Sequence, residues 1–353
     1  MNCSVLKINK NLKFLPLIGV IMLIFQNCGN PGDVDKSTSS VKMILDGGGY
    51  PYVLQNQEIY YFLRQGNPAN TILLYSSDSI DSLSEVKPFE VWNGPDHGMS
   101  NIWSPEIYRI NGNWLIYFEA DNGNTDNHQL YVLMNDNENP MTDNWDLHGP
   151  IITDTEWNFG IHPSSFMVDG KQYLLWSGWE HRRAETETQC IFIAEMENPW
   201  TLKSERVLLS KPEFEWERQW INPDGSRSAY PIFVNENPEA LISPDGKKVI
   251  VVYSASGIWT PYSTVGLIYA DADSNLLDPH SWTKLAEPQS PVNPDNGKMV
   301  GISNISVADS PDGTSHYVFF QGHDFDGSAK YPHIYFKEFS WNDKSLPDFK
   351  FIE

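Results

Sequence analysis

Cysteine is scarce in this chain: Cys3, Cys28 and Cys190 are the only three in 353 residues, so no disulfide framework braces it. No cysteine and histidine spacing suggests zinc, no glycine-rich loop is shaped to cradle a phosphate, and no Ser-His-Asp set stands out. Positive charge is also short, with 24 lysines and arginines against 46 aspartates and glutamates. The resulting formal charge of −22 argues against nucleic acid and anionic membrane surfaces as partners, since phosphate binding needs basic patches. It says little about a neutral glycan. Long apolar runs are missing except for Phe14 to Phe25, which is too short for a comfortable membrane span.

That run follows Lys7, Lys10 and Lys13, and residues 1–28 read as an export signal. Cys28 ends the apolar segment and is followed by a linker, 29–40, rich in small and polar residues. The pattern is similar to a bacterial lipoprotein signal, which implies lipid attachment at Cys28 and a place in the cell envelope, although Asn27 is larger than the residue usual before such a cysteine. Plain secretion is the alternative. Cys190 lies inside an apolar run and reads as a small buried core residue.

Aromatic residues are abundant, at 13% with 13 tryptophans, and suit both core packing and sugar stacking. A hairpin pattern recurs along residues 41–353. The clearest copy runs from Val234 to Gly257, with a short strand, a Pro244-Asp245-Gly246 turn and a near-continuous apolar strand. Further copies begin at Tyr50-Pro51, Ser104-Pro105 and His162-Pro163, and a weaker one at Ser303-Asn304. Each is followed by a third apolar run, and most by a fourth near Trp92, Trp145, Trp200 or Trp282. Four strands occurring five times predict a single all-β domain, a five-bladed β-propeller. In that fold the residues opening the hairpins converge at one mouth of a central channel: Tyr50, Ser104, His162, Glu236 with Asn237, and Ser303 with Asn304.

Glycoside hydrolysis usually needs one carboxyl group to protonate the leaving oxygen and another to activate water or attack. Glu236, between Asn235 and Asn237 at the expected mouth, suits the first role. The motifs Ile102-Trp103-Ser104-Pro105-Glu106-Ile107-Tyr108, Asn111-Gly112-Asn113-Trp114, Glu197-Asn198-Pro199-Trp200, Asn235-Glu236 and Tyr253-Ser254-Ala255-Ser256-Gly257 make the chain, over about residues 46 to 340, resemble glycoside hydrolase family 43. The resemblance implies a five-bladed propeller that cleaves arabinofuranosides, xylosides and related linkages by inversion, with its general acid on Glu236.

Three other positions depart from the family pattern. Tyr50 stands where the resemblance implies the base aspartate, His162 where it implies a pKa-tuning aspartate, and Asn304 where a last-blade histidine is common. Tyrosine is a poor base near neutral pH unless a neighbour accepts its proton or a cation lowers its pKa, so a Tyr50–His162 dyad is one expectation. Asp46, carried on Gly47-Gly48-Gly49, is the other.

Trp103, Glu106, Trp179 and Trp259 are the expected sugar-binding residues beside Ser104, Asn237 and Asn304. His181, Arg182 and Arg183 form a small basic cluster suited to a uronate or sulfate, or simply to a solvated loop. Asp121-Asn122-Gly123-Asn124 with Asp126 faintly resembles a calcium loop and is explained as well by a turn. No metal or cofactor is expected. The resulting expectation is a monomeric, exported hydrolase that removes terminal arabinofuranosyl, xylosyl or related residues from a plant or algal polysaccharide. The rival readings are a catalytically silent glycan-binding protein on the same scaffold and, more distantly, a propeller used for protein assembly.

Overall fold

A computed structural model describes residues 41–181, 187–221, 226–292, 299–323 and 332–351. The expected signal and linker, Cys28 and the pair Arg182-Arg183 lie outside them. The described chain is all-β, and its helical elements are short 3-10 turns.

The chain enters through β1 (Lys42–Leu45) and continues into a four-stranded sheet of β2 (Tyr52–Asn56), β3 (Ile59–Gln65), β4 (Thr71–Ser77) and β5 (Phe89–Asn93). A second antiparallel sheet repeats the order with β6 (Ser100–Ile110), β7 (Asn113–Asp121), β8 (Gln129–Asn135) and β9 (Asp146–Ile151). The third unit holds β10 (Ile161–Val168), β11 (Lys171–Gly178), β12 (Glu187–Asn198), β13 (Thr201–Leu202) and β14 (Val207–Ser210). After β15 (Arg218–Ile221), the fourth is built from β16 (Arg227–Ile242), β17 (Lys248–Ala255), β18 (Thr264–Asp271) and β19 (Thr283–Lys284). Parallel pairing of Glu187–Gln189 with Ile232–Val234 joins the third and fourth units in one sheet. The last unit comprises β20 (Val300–Asp309), β21 (His316–His323), β22 (His333–Trp341) and β23 (Pro347–Asp348), and β1 pairs with β22 to complete it. Sequence reading assigned no partner to β1, because Lys42 and Phe336 meet across nearly the whole chain.

The core lies between the sheets. One apolar cluster joins Leu63 and Ile72 of the first unit to Trp114 and Phe118 of the second. Similar clusters join the second to the third, the third to the fourth and the fourth to the fifth. Another puts Phe319 and Phe336 of the last unit against Val53 and Phe62 of the first. Each sheet therefore buries its apolar faces against a neighbour on either side, which a single four-stranded sheet cannot do alone. Cys190 is buried in this packing, as expected, and burial pushes its thiol up to about 12.

One backbone feature repeats at the openings of the hairpins. Between Trp103 and Glu106, Ile161 and Ser164, Glu236 and Glu239, and Ser303 and Ser306, the first strand carries an extra residue relative to its partner. In each bulge the first inserted residue has positive φ: Ser104 at 40°, His162 at 54°, Asn237 at 51° and Asn304 at 51°. Tyr50, at 55°, occupies the same place just before β2. Left-handed backbone at a non-glycine residue costs on the order of 1 kcal/mol, and such strain collects at functional sites. Here it re-aims a polar side chain at the start of every hairpin.

Candidate functional site

The re-aimed residues meet near Glu236. This side chain is 1% exposed, and its Oε1 accepts the backbone N–H of Ile258 at 2.9 Å. His162, equally buried, lies with Nδ1 3.7 Å from Glu236 Oε2 and Nε2 3.9 Å from Glu119 Oε1. Nδ1 also accepts the backbone N–H of Asn237 at 3.2 Å, which leaves the ring proton on Nε2. Burial, with the nearby His128, lowers the His162 pKa to about 3, so the ring is neutral under ordinary conditions.

The ring of Tyr50 lies 5.6 Å from that of His162. Burial, with Glu236 and Glu119, pushes its phenol well above the usual range. Burial beside a neutral His162 ring disfavours deprotonation of Tyr50. His162 supplies no positive charge to lower the phenol's pKa, and a ring that protonates only near pH 3 is a weak acceptor.

A hydrogen-bonded path runs from Glu236 around to Asn304. Ile258 donates to Glu236 and its carbonyl accepts Gln321 Nε2 at 3.1 Å, while Gln321 Oε1 accepts Asn304 Nδ2 at 2.6 Å. Gly49 faces the same glutamine, and a Cβ there would come within 2.8 Å of Gln321 Oε1. Glycine at this point lets the chain pass beside the path.

A cavity of about 1150 Å³ opens over these groups. Its lining includes Glu236, His162, Tyr50, Trp103, Trp179 and Trp259. Trp259 is 43% exposed, which leaves ring surface available for a sugar. Trp103 is backed by His128, with ring centroids 4.2 Å apart. The ring nitrogens of His128 lie 2.9 Å from the carbonyls of Thr125 and Asn101, and Nδ1 is also 3.4 Å from Asp121 Oδ2, so polar contacts hold the ring behind Trp103. Trp179 is 3% exposed and lies flat on Phe159 at 3.8 Å, so one of its faces is already covered.

Four expected residues lie outside the lining. Ser104, Asn237 and Asn304 are buried and act through the contacts of their bulges. Glu106 sits deeper, where it accepts the hydroxyl of Tyr108, which in turn lies 3.3 Å from Ser164 Oγ. Ser164 reaches Glu239 Oε2 at 3.4 Å, so Glu106 belongs to a buried carboxyl pair rather than to a sugar surface. The loop from Asp121 to His128 uses Asp121 to accept Asn101 Nδ2 and the Gly123 N–H, as a turn does. Among the described residues, no group of three or more histidine, cysteine or acidic side chains is placed to hold a metal.

Glu119 was missed in the sequence because it ends the apolar run of β7. It is fully buried, and burial raises its carboxyl well above the ordinary range despite the nearby backbone N–H of His162 and the Ser104 hydroxyl. An acid within a buried strand is the signal that could have found it. Glu236 and Glu119 face opposite nitrogens of one imidazole, so the buried His162 ring separates the two carboxyl groups, and Glu119 does not line the cavity.

Over 281 residues the chain is 29% identical to the extracellular exo-alpha-(1->5)-L-arabinofuranosidase of Streptomyces avermitilis, covering 78% of this chain and 54% of that protein. It thus spans about half the length of that relative. It is 29% identical over 269 residues to the enzyme of the same description from Streptomyces chartreusis, covering 75% of this chain and 76% of the relative. The crystal structure of alpha-L-arabinofuranosidase from Lactobacillus brevis matches with a TM-score of 0.76 at 29% identity, covering 87% of this chain and 94% of the other. Residues 44–347 match the family described as glycosyl hydrolases family 43, and the chain belongs to that family.

Proposed function

We propose that the protein is an exported, exo-acting glycoside hydrolase that releases terminal α-L-arabinofuranosyl residues from a polysaccharide. The observation that carries this reading is a carboxyl group, Glu236, buried at the wall of a sugar-sized cavity and oriented by the Ile258 N–H. The two similar Streptomyces enzymes and the Lactobacillus structure favour arabinofuranosyl over xylosyl substrates. The repeated sheet order and the apolar clusters that link each unit to the next, and the last to the first, support a five-bladed propeller.

In this mechanism Glu236 gives its proton to the leaving oxygen as the bond to the anomeric carbon breaks, and a water attacks from the opposite face. His162, where the family resemblance implies a tuning aspartate, instead sets a neutral ring beside the acid, with Nδ1 3.7 Å from Glu236 Oε2. Asp46 takes the proton of the attacking water. Its side chain is 85% exposed, lines the cavity, and is carried on Gly47 and Gly48, whose φ values of 76° and 131° suit glycine.

Export and lipid attachment at Cys28 belong to the same proposal, and the description of both Streptomyces relatives as extracellular supports export. The test is arabinose release from arabinan and aryl α-L-arabinofuranosides by the parent protein and by Glu236→Gln. Release abolished in the variant supports the reading. Binding without release from a broad glycoside panel replaces it with a glycan-binding protein, a reading favoured by one observation, the tyrosine at the base position.

A further inference from the structure

Among the described residues that line the cavity, Arg64 is the single lysine or arginine. It lies on β3, and its Nε and Nη2 both donate to the hydroxyl of Tyr75, at 2.9 and 2.7 Å. The guanidinium also lies 5.5 Å from the centre of the Tyr75 ring. These contacts fix the plane of the group and occupy one of its edges. The edge formed by Nη1 and the outer N–H of Nη2 remains, and among the described residues no carboxylate pairs with it. Arg206, by comparison, meets Asp154 at 3.2 Å.

An arginine left without a carboxylate is notable in a chain with 46 acidic residues. Nη1 is adjacent to Gly48, where a Cβ would stand 3.9 Å away, so no side chain from that residue covers it. Gly48 is two residues before Tyr50, roughly 7 Å along the chain and therefore about one sugar width. Gln65 and Asn67, further along the same hairpin, add neutral hydrogen-bonding groups to this wall.

We propose that Arg64 forms an anion subsite, and that the cavity accepts a glycan bearing a uronic acid whose carboxylate docks on the Nη1/Nη2 edge. The inference rests on the glycoside hydrolase reading for its ligand being a sugar. The geometry selects a planar carboxylate, because two parallel N–H donors match its two oxygens better than the tetrahedral oxygens of a sulfate ester. The fork is preorganised by Tyr75, so little side-chain freedom is lost when the ligand docks.

The test uses the Glu236→Gln protein, titrated calorimetrically with glucuronate and galacturonate, with neutral glucose and galactose, and with galactose 6-sulfate. Uronates are expected to bind at least about tenfold more tightly than their neutral parents. Adding Arg64→Met should bring that ratio close to one, and adding Arg64→Lys, which keeps the charge but loses the fork, should leave an intermediate value. Melting temperature monitors folding, and the lysine variant carries the test if the methionine variant is unstable. Equal binding of charged and neutral sugars by the Glu236→Gln protein overturns the proposal, as does a preference that survives both substitutions or tighter binding of the sulfate. Arabinose release by the parent protein without uronate preference defeats this inference alone, whereas uronate preference without release of any sugar defeats the hydrolase reading alone.

Discussion

His162 and Glu236 lie side by side: Nδ1, whose lone pair accepts the Asn237 N–H at 3.2 Å, is 3.7 Å from Glu236 Oε2. Because an N–H already points at Nδ1, the ring proton resides on Nε2, toward Glu119. With a pKa near 3, the ring should stay neutral and keep this tautomer from about pH 5 to 8. Ring nitrogen shifts measured by NMR should be flat over that range, and a protonated Nδ1 would refute the arrangement. His162→Leu should slow substrates with poor leaving groups by about tenfold or more while affecting activated aryl glycosides less.

Asp46 and Tyr50 make opposite predictions. If Asp46 activates water, Asp46→Asn should lower turnover by about 100-fold or more, and Tyr50→Phe should stay within about tenfold of the parent. Burial and two nearby acids keep the Tyr50 phenol protonated, so removing its oxygen removes no base. Steady-state kinetics on arabinan decides, and the reverse ranking would return the role to Tyr50.

The deep carboxyl pair ties stability to pH. Burial raises Glu239 from 4.5 to about 8, and raises Glu106 in the same direction. Ser164 and Tyr108 bridge the two, and Tyr52 lies close by. A carboxyl whose folded pKa is raised favours the folded state below its unfolded pKa, and this contribution is lost as pH rises toward 8. His162 acts in the opposite sense, losing its contribution as pH falls from 6.5 toward 3. Melting temperature should therefore fall on the alkaline side, and Glu239→Gln should flatten that fall. An unchanged alkaline slope in the variant would count against the pair.

Behind Glu236, the fully buried Glu217 accepts Asn235 Nδ2, the Tyr253 hydroxyl and the backbone N–H groups of Glu213 and Phe214, and pairs with Lys284 at 2.6 Å. Glu217→Ala leaves several buried donors and a largely buried ammonium without their acceptor. Destabilisation of about 3 kcal/mol or more is expected by denaturant titration. The loss of Asn235 positioning should also lower kcat more than it raises KM.

Lipid attachment is checked by fractionation. Cys28→Ser should move the protein from membranes to the soluble fraction, and mass spectrometry of the parent should place the lipid on the mature N-terminus. Equal membrane retention of both forms would refute the anchor.

Local chemistry made much of this protein legible. Pro244-Asp245-Gly246, Asn111-Gly112 and Asp169-Gly170 are turn signals, and the apolar runs after them became β17, β7 and β11. The prolines after Tyr50, Ser104, His162 and Asn237 marked where the hairpins open, and the acid before Asn237 marked Glu236. These signals are readable because turn geometry and strand alternation depend on residues a few positions apart. What surrounds Glu236 depends on contacts across the fold. Glu119 looked like the end of a strand until packing set it against His162, and Trp179 looked like a loop platform until Phe159 covered one face. The raised pKa of the Tyr50 phenol follows from burial and two acids that only the fold sets beside it. Arg64 drew no notice in the sequence because its environment, Tyr75 on one edge and an open cavity on the other, exists only after β3 and β4 have paired. Charge state, exposure and hydrogen-bond direction follow from which groups burial brings together, and periodicity along the chain does not encode that.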